Sequence, residues 1–369
     1  MEQKLIETDF LNVKYDFIEY YVGMAKMVVF WHVKAMGFNV IGYCGPETGN
    51  PEKCSYFIEK NDIKLVITSA AQPSSYKIVS FVDLHGNGIK KIGIQTKNLS
   101  SFFEKAISKG AIPLEFPKTI SDIHGQVTLA SVKLFDDNEI VFVDYQNYKG
   151  CFMPGYHPVD KDEWGYPKES YLNGIDHIAS ALRENEIQIW EPYFNNIFNS
   201  ETVSTFDERT DNGKGKLGMF LKVLQTDDKL INNVLVEPDY NKNTQVKLFI
   251  DQNFGAGIQH IAFISSNIFK SIEVLKLNGV KFNKYPDSYY DNLKKKYPRL
   301  DIAQIKHHGV LCDVSGDSLL FQVFTAPIGD RPTFFYEIVQ RVNNYDGFGL
   351  DNIHALFEAM EEEMAMNKS

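Results

Sequence analysis

Two histidines and one glutamate in the C-terminal half are the residues best suited to metal chemistry. His177 and His260 lie in the similar tetrapeptides DHIA and QHIA, with apolar residues on either side. Glu337 is an acid within an otherwise apolar run at 332–341, where an unpaired charge would be costly to bury and a bound cation would remove that cost. Two neutral imidazoles and one carboxylate leave three positions of an octahedral ion open, which suits Fe(II) and oxygen chemistry. We therefore predict that His177, His260 and Glu337 bind one Fe(II) per chain.

The segments that carry the histidines belong to an internal repeat. The segment 85–98, HGNGIKKIGIQTKN, aligns with 254–267, FGAGIQHIAFISSN, with glycines and a final asparagine at matching positions. The same register places KAISKGAIPLEFP at 105–117 over VLKLNGVKFNKYP at 274–286. A repeat of this kind indicates two copies of one structural unit.

The repeat lets each half serve as a control for the other. YDFIEYYV in the first half aligns with IDHIASAL in the second, so Phe17 stands where the second half has His177. In the strand after the glycine turn, Lys91 stands where the second half has His260. Each imidazole therefore occurs in one half only. Histidines from separate strands that face one interior are typical of metal sites in small open barrels. The other histidines fit no such scheme, and we take them as structural or solvated.

Periodicity predicts mixed secondary structure in both halves. Runs with alternating apolar residues predict strands, the clearest at 64–70, 126–135, 139–145 and 318–327. Amphipathic patterns predict helices at 24–37, 101–109 and 268–277. Two β-rich halves with a few covering helices make an α+β protein.

A composition change divides the chain. Residues 151–170 include a stretch rich in Pro, Gly and Tyr, which indicates a linker. This predicts an N-terminal domain at 1–150 and a C-terminal domain at 171–369. A final helix is predicted at about 351–364, with an apolar face and an aspartate at its start.

The composition predicts a globular protein and excludes several classes of partner. Of 369 residues, 44% are hydrophobic and 23% charged, which is typical of folded rather than disordered chains. The formal net charge of −10 argues against nucleic acid and anionic membranes as partners. No apolar run approaches the roughly 20 residues of a membrane helix, and the N-terminus lacks the apolar core of a signal peptide. Four cysteines without metal or disulfide spacing indicate reduced thiols and a cytoplasmic protein.

Motifs over nearly the whole chain resemble one enzyme family. The second half contains GIDHIA at 174–179, GAGIQHIAF at 255–263, FQVFTAPIGDRPTFFYEIVQR at 321–341 and GFGLDNIHALFEAMEEE at 347–363. These motifs resemble the 4-hydroxyphenylpyruvate dioxygenase family, within the vicinal-oxygen-chelate superfamily. The resemblance implies two tandem open-barrel domains built from βαβββ repeats, the first without metal, and a C-terminal lid helix. It implies that a 2-oxo acid chelates the Fe(II) and reacts with O2.

The resemblance also implies roles for individual side chains of the pocket. It implies substrate contacts from Gln245, Gln259, Phe324, Phe335, Leu221, Val236 and Ile353. It implies catalytic roles for three polar side chains, Gln322, Gln259 and Asn352. Phe324 and Phe335 match the two phenylalanines that hold the aromatic ring of the substrate between them.

Three positions depart from the family pattern. Leu221 stands where the family usually has serine, Val234-Leu235-Val236 where it has Pro-x-Asn, and Ile353 where it has phenylalanine on the lid helix. Each change gives an aliphatic contact in place of a polar or aromatic one. A site with fewer hydrogen-bonding groups discriminates less against substrates that lack a polar end.

These departures leave three products open. The first is homogentisate from 4-hydroxyphenylpyruvate, favoured by the first half of the chain and by Phe324 with Phe335. The second is 4-hydroxymandelate, since the valines and Ile353 resemble hydroxymandelate synthase, although Phe324 does not. The third is the product of another aryl or aliphatic 2-oxo acid, to which Leu221 points.

Other function classes account for less of the sequence. A non-catalytic binding protein on the same fold is an alternative, because the first half keeps the template without the ligands. A glyoxalase-type or extradiol metalloenzyme would leave the matching residues from Phe321 onward unexplained. The metal-free first half offers an interface for a homo-oligomer.

Overall fold

The computed structural model describes residues 13–165, 169–209, 218–242 and 244–353. Of the predicted final helix at about 351–364, residues 354–364 lie outside the described residues. Just before that limit, Leu350–Asn352 form a single turn of 3-10 helix.

Nine strands form the first sheet. They are β1 (Lys14–Tyr21), β2 (Asn39–Cys44), β3 (Lys53–Lys60), β4 (Ile63–Ala70), β5 (Gly88–Gln95), β6 (Pro113–Asp122), β7 (Gly125–Lys133), β8 (Glu139–Asp144) and β9 (His157–Pro158). Their order across the sheet is β6-β7-β8-β5-β1-β4-β3-β2-β9.

Eight strands form the second sheet. They are β10 (Leu172–Ala181), β11 (Ser200–Asp207), β12 (Met219–Thr226), β13 (Asn232–Pro238), β14 (Gly257–Ser265), β15 (Leu311–Ser315), β16 (Ser318–Phe324) and β17 (Phe335–Val342). Their order is β11-β12-β13-β10-β14-β17-β16-β15.

The two sheets repeat one topology. Read from β2 to β6, the first sheet has the same strand order as the second, with β9 added at one edge. In each sheet the leading strands of two βαβββ units pair antiparallel at the centre, β1 with β5 and β10 with β14. Each leading strand also pairs parallel with the last strand of its own unit. The predicted α+β fold of tandem repeats is confirmed.

Helices lie between the strands, both within the units and between them. They are α1 (Ala25–Trp31, continued by a π-helical turn at His32–Met36), α2 (Tyr76–His85), α3 (Leu99–Ser108), α4 (Lys161–Trp164), α5 (Ile187–Phe198), α6 (Gln245–Asn253), α7 (Ile268–Leu277), α8 (Asp287–Lys296) and α9 (Ile302–His308). The predicted helix at 268–277 is observed as α7 with the same bounds. The predicted helix at 101–109 is observed as α3, which begins two residues before the predicted start. In α7, Asn267 caps the first turn through Lys270 N, and Ile268, Ile272 and Leu275 bury one face.

The predicted linker at 151–170 contains ordered elements. Gly42 and Tyr43 of β2 pair with β9, which extends the first sheet, and α4 follows β9. The domain limits at 150 and 171 stay a prediction.

A buried polar chain joins the two halves of the protein. Tyr336 on β17 is fully buried, and its hydroxyl lies 2.7 Å from His32 Nε2 and 2.9 Å from the Tyr20 hydroxyl. His32 Nδ1 bonds to the Val28 carbonyl, so the neutral imidazole donates there and accepts from Tyr336. Burial lowers the pKa of His32 to about 4, which keeps the imidazole neutral at pH 7.

Tyr336→Phe should lower the free energy of unfolding by about 1–3 kcal/mol, because it leaves His32 Nε2 and the Tyr20 hydroxyl buried without a partner. Denaturant unfolding measures the change. Tyr76→Phe is the matched control, since Tyr76 is 74% exposed and should change stability little. Equal effects of the two substitutions would contradict a role for the buried chain.

Candidate metal centre

Three neighbouring strands of the second sheet carry the predicted metal ligands. His177 lies on β10, His260 on β14 and Glu337 on β17, with β14 between the other two strands. Pairing places Ala262 of β14 opposite His177 on one side and beside Glu337 on the other. Because Ala262 is small, the two flanking side chains can meet above it across two strand spacings of about 4.8 Å each. His260 lies two residues before Ala262 and therefore points to the same face.

The three side chains converge on one point. His177 Nε2 lies 3.0 Å and His260 Nε2 3.3 Å from Glu337 Oε2. One ligand atom from each residue lies within 4.8 Å of the other two. Glu337 is 1% exposed, so its charge has to be compensated by neighbouring groups.

The chemistry of the three residues fits a divalent cation. His177 Nδ1 lies 2.8 Å from a carboxylate oxygen of Asp176, which can only accept, so this nitrogen carries the proton. In a neutral His177, Nε2 is then an acceptor that faces an acceptor oxygen of Glu337, and a cation would turn this repulsion into attraction. His260 Nδ1 is buried without a hydrogen-bond partner among the described residues. These three residues form a group that could hold a metal ion.

Without a metal, the charges of the site compensate one another. Burial opposes charge on His177, yet Glu337 and Asp176 raise its pKa to about 9. Burial likewise opposes charge on Glu337, yet the two imidazoles lower its pKa to about 2. Burial lowers the pKa of His260, which keeps that ring neutral. In the metal-free protein, a proton on His177 therefore takes the place of the cation.

A polar chain runs from Glu337 to the end of the described residues. Gln322 Nε2 donates to Glu337 Oε1 at 2.8 Å, and Asn352 Nδ2 donates to Gln322 Oε1 at 2.9 Å. The Tyr289 hydroxyl donates to Asn352 Oδ1 at 2.9 Å. Gly349 has a φ of +65°, and any side chain there would collide with Gln322, so glycine permits this close approach. Gln322 thus occupies one oxygen of Glu337 and leaves Oε2 directed at the histidines.

A second polar chain runs from His177. Asp176 accepts from His177 Nδ1, and it also accepts from Arg341 Nε and a terminal nitrogen at 2.7 and 2.9 Å. The Phe348 ring lies near both ends of this chain, with its centroid 5.1 Å from the Arg341 guanidinium carbon and 5.8 Å from the His177 ring.

Sequence reasoning missed Asp176, Arg341 and Phe348 as parts of the site. A signal was present, because Asp176 adjoins one predicted ligand and Arg341 lies four residues after another on the same strand face.

Two predicted phenylalanines lie beside the ligands. Phe335 stacks on the His260 ring with centroids 4.8 Å apart, and Phe324 approaches the same ring edge-on at 5.9 Å. The two phenylalanine rings lie 6.1 Å apart at 71° to each other. They are in mutual edge-to-face contact, so a flat ligand could enter between them only if one ring turned.

The opposite wall of the pocket is aliphatic. Leu221 pairs with Val236 across β12 and β13, and Val223 pairs with Val234 one step along. All four are buried and line the same pocket as the metal ligands. Ile353 lines it too. The remaining predicted contacts, Gln245 and Gln259, supply amide groups to the pocket lining.

The equivalent positions of the first sheet lack every ligand. Strand pairing places Lys91 at the position of His260 and Val141 at that of Glu337, and Phe17 stands at that of His177. Lys91 forms an ion pair with Glu19 at 3.0 Å. The Phe17 ring covers Gly93, where any side chain would collide with it. The duplication therefore retains the fold in the first half and the ligand set in the second only.

Two known proteins of similar sequence carry the same name. Over 368 residues the chain is 32% identical to the 4-hydroxyphenylpyruvate dioxygenase of Tetrahymena thermophila, covering 95% of this chain and 89% of that protein. It is 31% identical to the 4-hydroxyphenylpyruvate dioxygenase of Danio rerio, covering 96% and 91%. No protein-family model matches the chain.

Similar solved structures agree in fold. A mutant of 4-hydroxymandelate synthase from Streptomyces coelicolor superposes with a TM-score of 0.83 at 26% identity, covering 95% of this chain and 98% of that one. A fusion of a xylose isomerase-like TIM barrel with 4-hydroxyphenylpyruvate dioxygenase gives a TM-score of 0.72 at 21% identity, which supports the fold alone. Within the described residues, no helix is long and apolar enough to cross a membrane.

The affinity of the metal-free protein for Co(II) should rise with pH and level off above about pH 9. Binding below that pH has to displace the proton held on His177, whose pKa is raised to about 9, so affinity should rise about tenfold per pH unit. Titrations between pH 6.5 and 9.5, followed by the Co(II) absorption bands, measure this. An affinity that does not change over this range would contradict proton displacement from His177.

Proposed function

Because the chain belongs to the 4-hydroxyphenylpyruvate dioxygenase family, we propose that it converts 4-hydroxyphenylpyruvate and O2 into homogentisate and CO2. Fe(II) is held by His177, His260 and Glu337. The observation that carries this proposal is the convergence of two imidazoles and one carboxylate within 4.8 Å at one end of an apolar pocket. Fe(II) in such a site supplies O2 activation, and the 2-oxo acid supplies two electrons as it loses CO2, so no outside reductant is required.

The side chains around the ligands prepare the site for this chemistry. Gln322 holds one oxygen of Glu337 and keeps the other directed at the metal position. Gln259 and Asn352 also line the pocket, and Asn352 is joined to Glu337 through Gln322, so both can contribute polar groups to binding of the 2-oxo acid. Once one of the two rings turns, Phe324 and Phe335 can flank the aromatic ring of the substrate. A dry pocket protects a reactive oxidant from water.

The aliphatic wall governs selectivity. Leu221, Val236 and Ile353 line the pocket and supply aliphatic contacts to the bound substrate. Gln245 is the polar group that can meet a phenolic hydroxyl near this wall. With so few polar partners, the pocket distinguishes weakly between substrates with and without that hydroxyl.

A second candidate is 4-hydroxymandelate formation from the same substrate. Val234, Val236 and Ile353 favour it, and the fold agrees closely with a mutant of a 4-hydroxymandelate synthase. Phe324 favours homogentisate. The third candidate is oxidation of another aryl or aliphatic 2-oxo acid, for which the same wall leaves room.

We also propose that the protein works in the cytoplasm, since all four cysteines are free thiols. Assembly into a homo-oligomer through the first half stays a prediction.

The purified protein, supplied with Fe(II), O2 and 4-hydroxyphenylpyruvate, should release homogentisate and CO2, identified by chromatography and mass spectrometry. Glu337→Ala should lower turnover by more than about 100-fold, the upper range for residues that merely support metal ligands. 4-Hydroxymandelate as the main product would replace the first candidate with the second. Turnover of another 2-oxo acid alone would favour the third, and absence of metal binding would favour a binding protein.

The ratio of kcat/KM for 4-hydroxyphenylpyruvate over phenylpyruvate should stay within about 100-fold, because an aliphatic wall cannot strongly reject a substrate without a hydroxyl. Leu221→Ser, which restores the usual family residue, should raise this preference about tenfold by adding a hydrogen-bonding partner. Leu221→Ala is the matched control for size. If the serine and alanine variants show the same preference, the wall hydroxyl does not set selectivity.

A further inference from the structure

Asp176 links a metal ligand to the rest of the sheet. It is 6% exposed, and its two oxygens accept from His177 Nδ1 and from two nitrogens of Arg341. A carboxylate behind a metal-binding histidine fixes the tautomer and the ring orientation, so that Nε2 presents its lone pair to the metal. Arg341 in turn fixes the carboxylate through a two-bonded contact, which is the geometry that arginine favours.

Arg341 also binds the backbone just before a segment that lines the pocket. Its other terminal nitrogen donates to the backbone carbonyls of Tyr345 and Gly347, at 3.0 and 2.6 Å. The next residues, Phe348 to Leu350, line the pocket together with Asn352. The Arg341 guanidinium therefore hydrogen-bonds both to Asp176, which contacts His177, and to backbone carbonyls at the start of segment 345–352.

The first half provides a natural comparison. Asp16 occupies the position of Asp176, and Tyr145 that of Arg341. The Tyr145 hydroxyl donates to Asp16 Oδ2 at 2.6 Å, so the contact across the sheet persists without a metal site. The other oxygen of Asp16 accepts from Lys64 rather than from a histidine.

The comparison separates two roles of the aspartate. In both halves the aspartate accepts a hydrogen bond from a residue in or just after the last strand of the second βαβββ unit, Tyr145 or Arg341. This shared contact therefore serves the fold. The bond to an imidazole and the arginine bonds to the following carbonyls occur only in the half that has the ligand set.

We propose that Asp176 and Arg341 are positioning residues that couple metal binding at His177 to closure of the pocket by residues 345–352. A metal that fixes His177 orders Asp176 and Arg341, and through them the carbonyls that Arg341 holds. Coupling of this kind is reciprocal, so ordering of the segment also strengthens metal binding. The chain from Glu337 through Gln322 to Asn352 ends in the same segment and gives it a second connection to the ligands. The inference rests on the metal site of the proposed function.

The first experiment measures Co(II) affinity, with the absorption bands of the bound ion as the readout. Asp176→Asn should raise the dissociation constant about 10–100-fold, the usual effect of removing the support of a histidine ligand. Asp16→Asn is the matched control in the first half and should stay within about twofold of the wild type, because distant sites behave independently. Far-UV circular dichroism checks that both variants fold. Wild-type affinity in Asp176→Asn, or an equal loss in Asp16→Asn, would overturn the role of Asp176.

The second experiment measures amide hydrogen exchange of residues 345–352 with and without Co(II). In the wild type, Co(II) should slow exchange at least about fivefold, the lower range for coupled sites. Arg341→Lys keeps the positive charge but loses the two-bonded contact, so it should bind Co(II) while the slowing largely disappears. This mild variant also covers the case in which Asp176→Asn fails to fold. Full slowing in Arg341→Lys would overturn the coupling.

The two levels of the hypothesis fail differently. If the wild type binds no Co(II) or Fe(II), the proposed function fails together with this inference. If the wild type binds metal and turns over substrate while the variants behave like it, only the coupling fails.

Discussion

The burial of Glu337 beside two imidazoles is the constraint on which the site depends. A carboxylate that is 1% exposed needs compensating charge, and the described neighbours within reach of its second oxygen are His177 and His260. Protonation of His177 meets this need in the metal-free protein, and a divalent cation meets it when bound. Gln322 and Asp176 complete the arrangement from behind, where each is hydrogen-bonded to a candidate ligand.

Strand pairing brings His177, His260 and Glu337 together, although His177 and Glu337 lie 160 residues apart in sequence. Ala262 stands between His177 and Glu337 in the pairing, and its small size leaves space above the sheet for both side chains. In the first half the corresponding space above Gly93 is filled by Phe17. The same backbone therefore carries either a candidate metal centre or a site filled by Phe17 beside the Lys91–Glu19 ion pair, according to a few side chains.

Much of this organisation could be predicted from the sequence, because the duplication exposes it. The repeat located the strands that carry His177 and His260, and the contrast with Phe17 and Lys91 marked the histidines as exceptional. Glu337 could be predicted from its apolar surroundings. The partners behind the ligands were missed, although Asp176 adjoins His177 in sequence, because neither residue type marks a hydrogen bond that joins β17 to β10. The orientation of the phenylalanine rings could not be predicted either. The sequence places Phe324 and Phe335 near the ligands, but their packing against His260 decides that they meet edge to face.

The aliphatic pairs on β12 and β13 have a consequence for how such an enzyme changes. These strands belong to the unit that contributes His177 alone, whereas His260 and Glu337 come from the unit that follows. The aliphatic wall thus comes from one copy of the repeated unit, whereas the other copy carries two of the three candidate ligands together with Phe324 and Phe335. Substitutions on β12 and β13 can therefore reshape this wall without altering β14 and β17, the strands that hold His260 and Glu337.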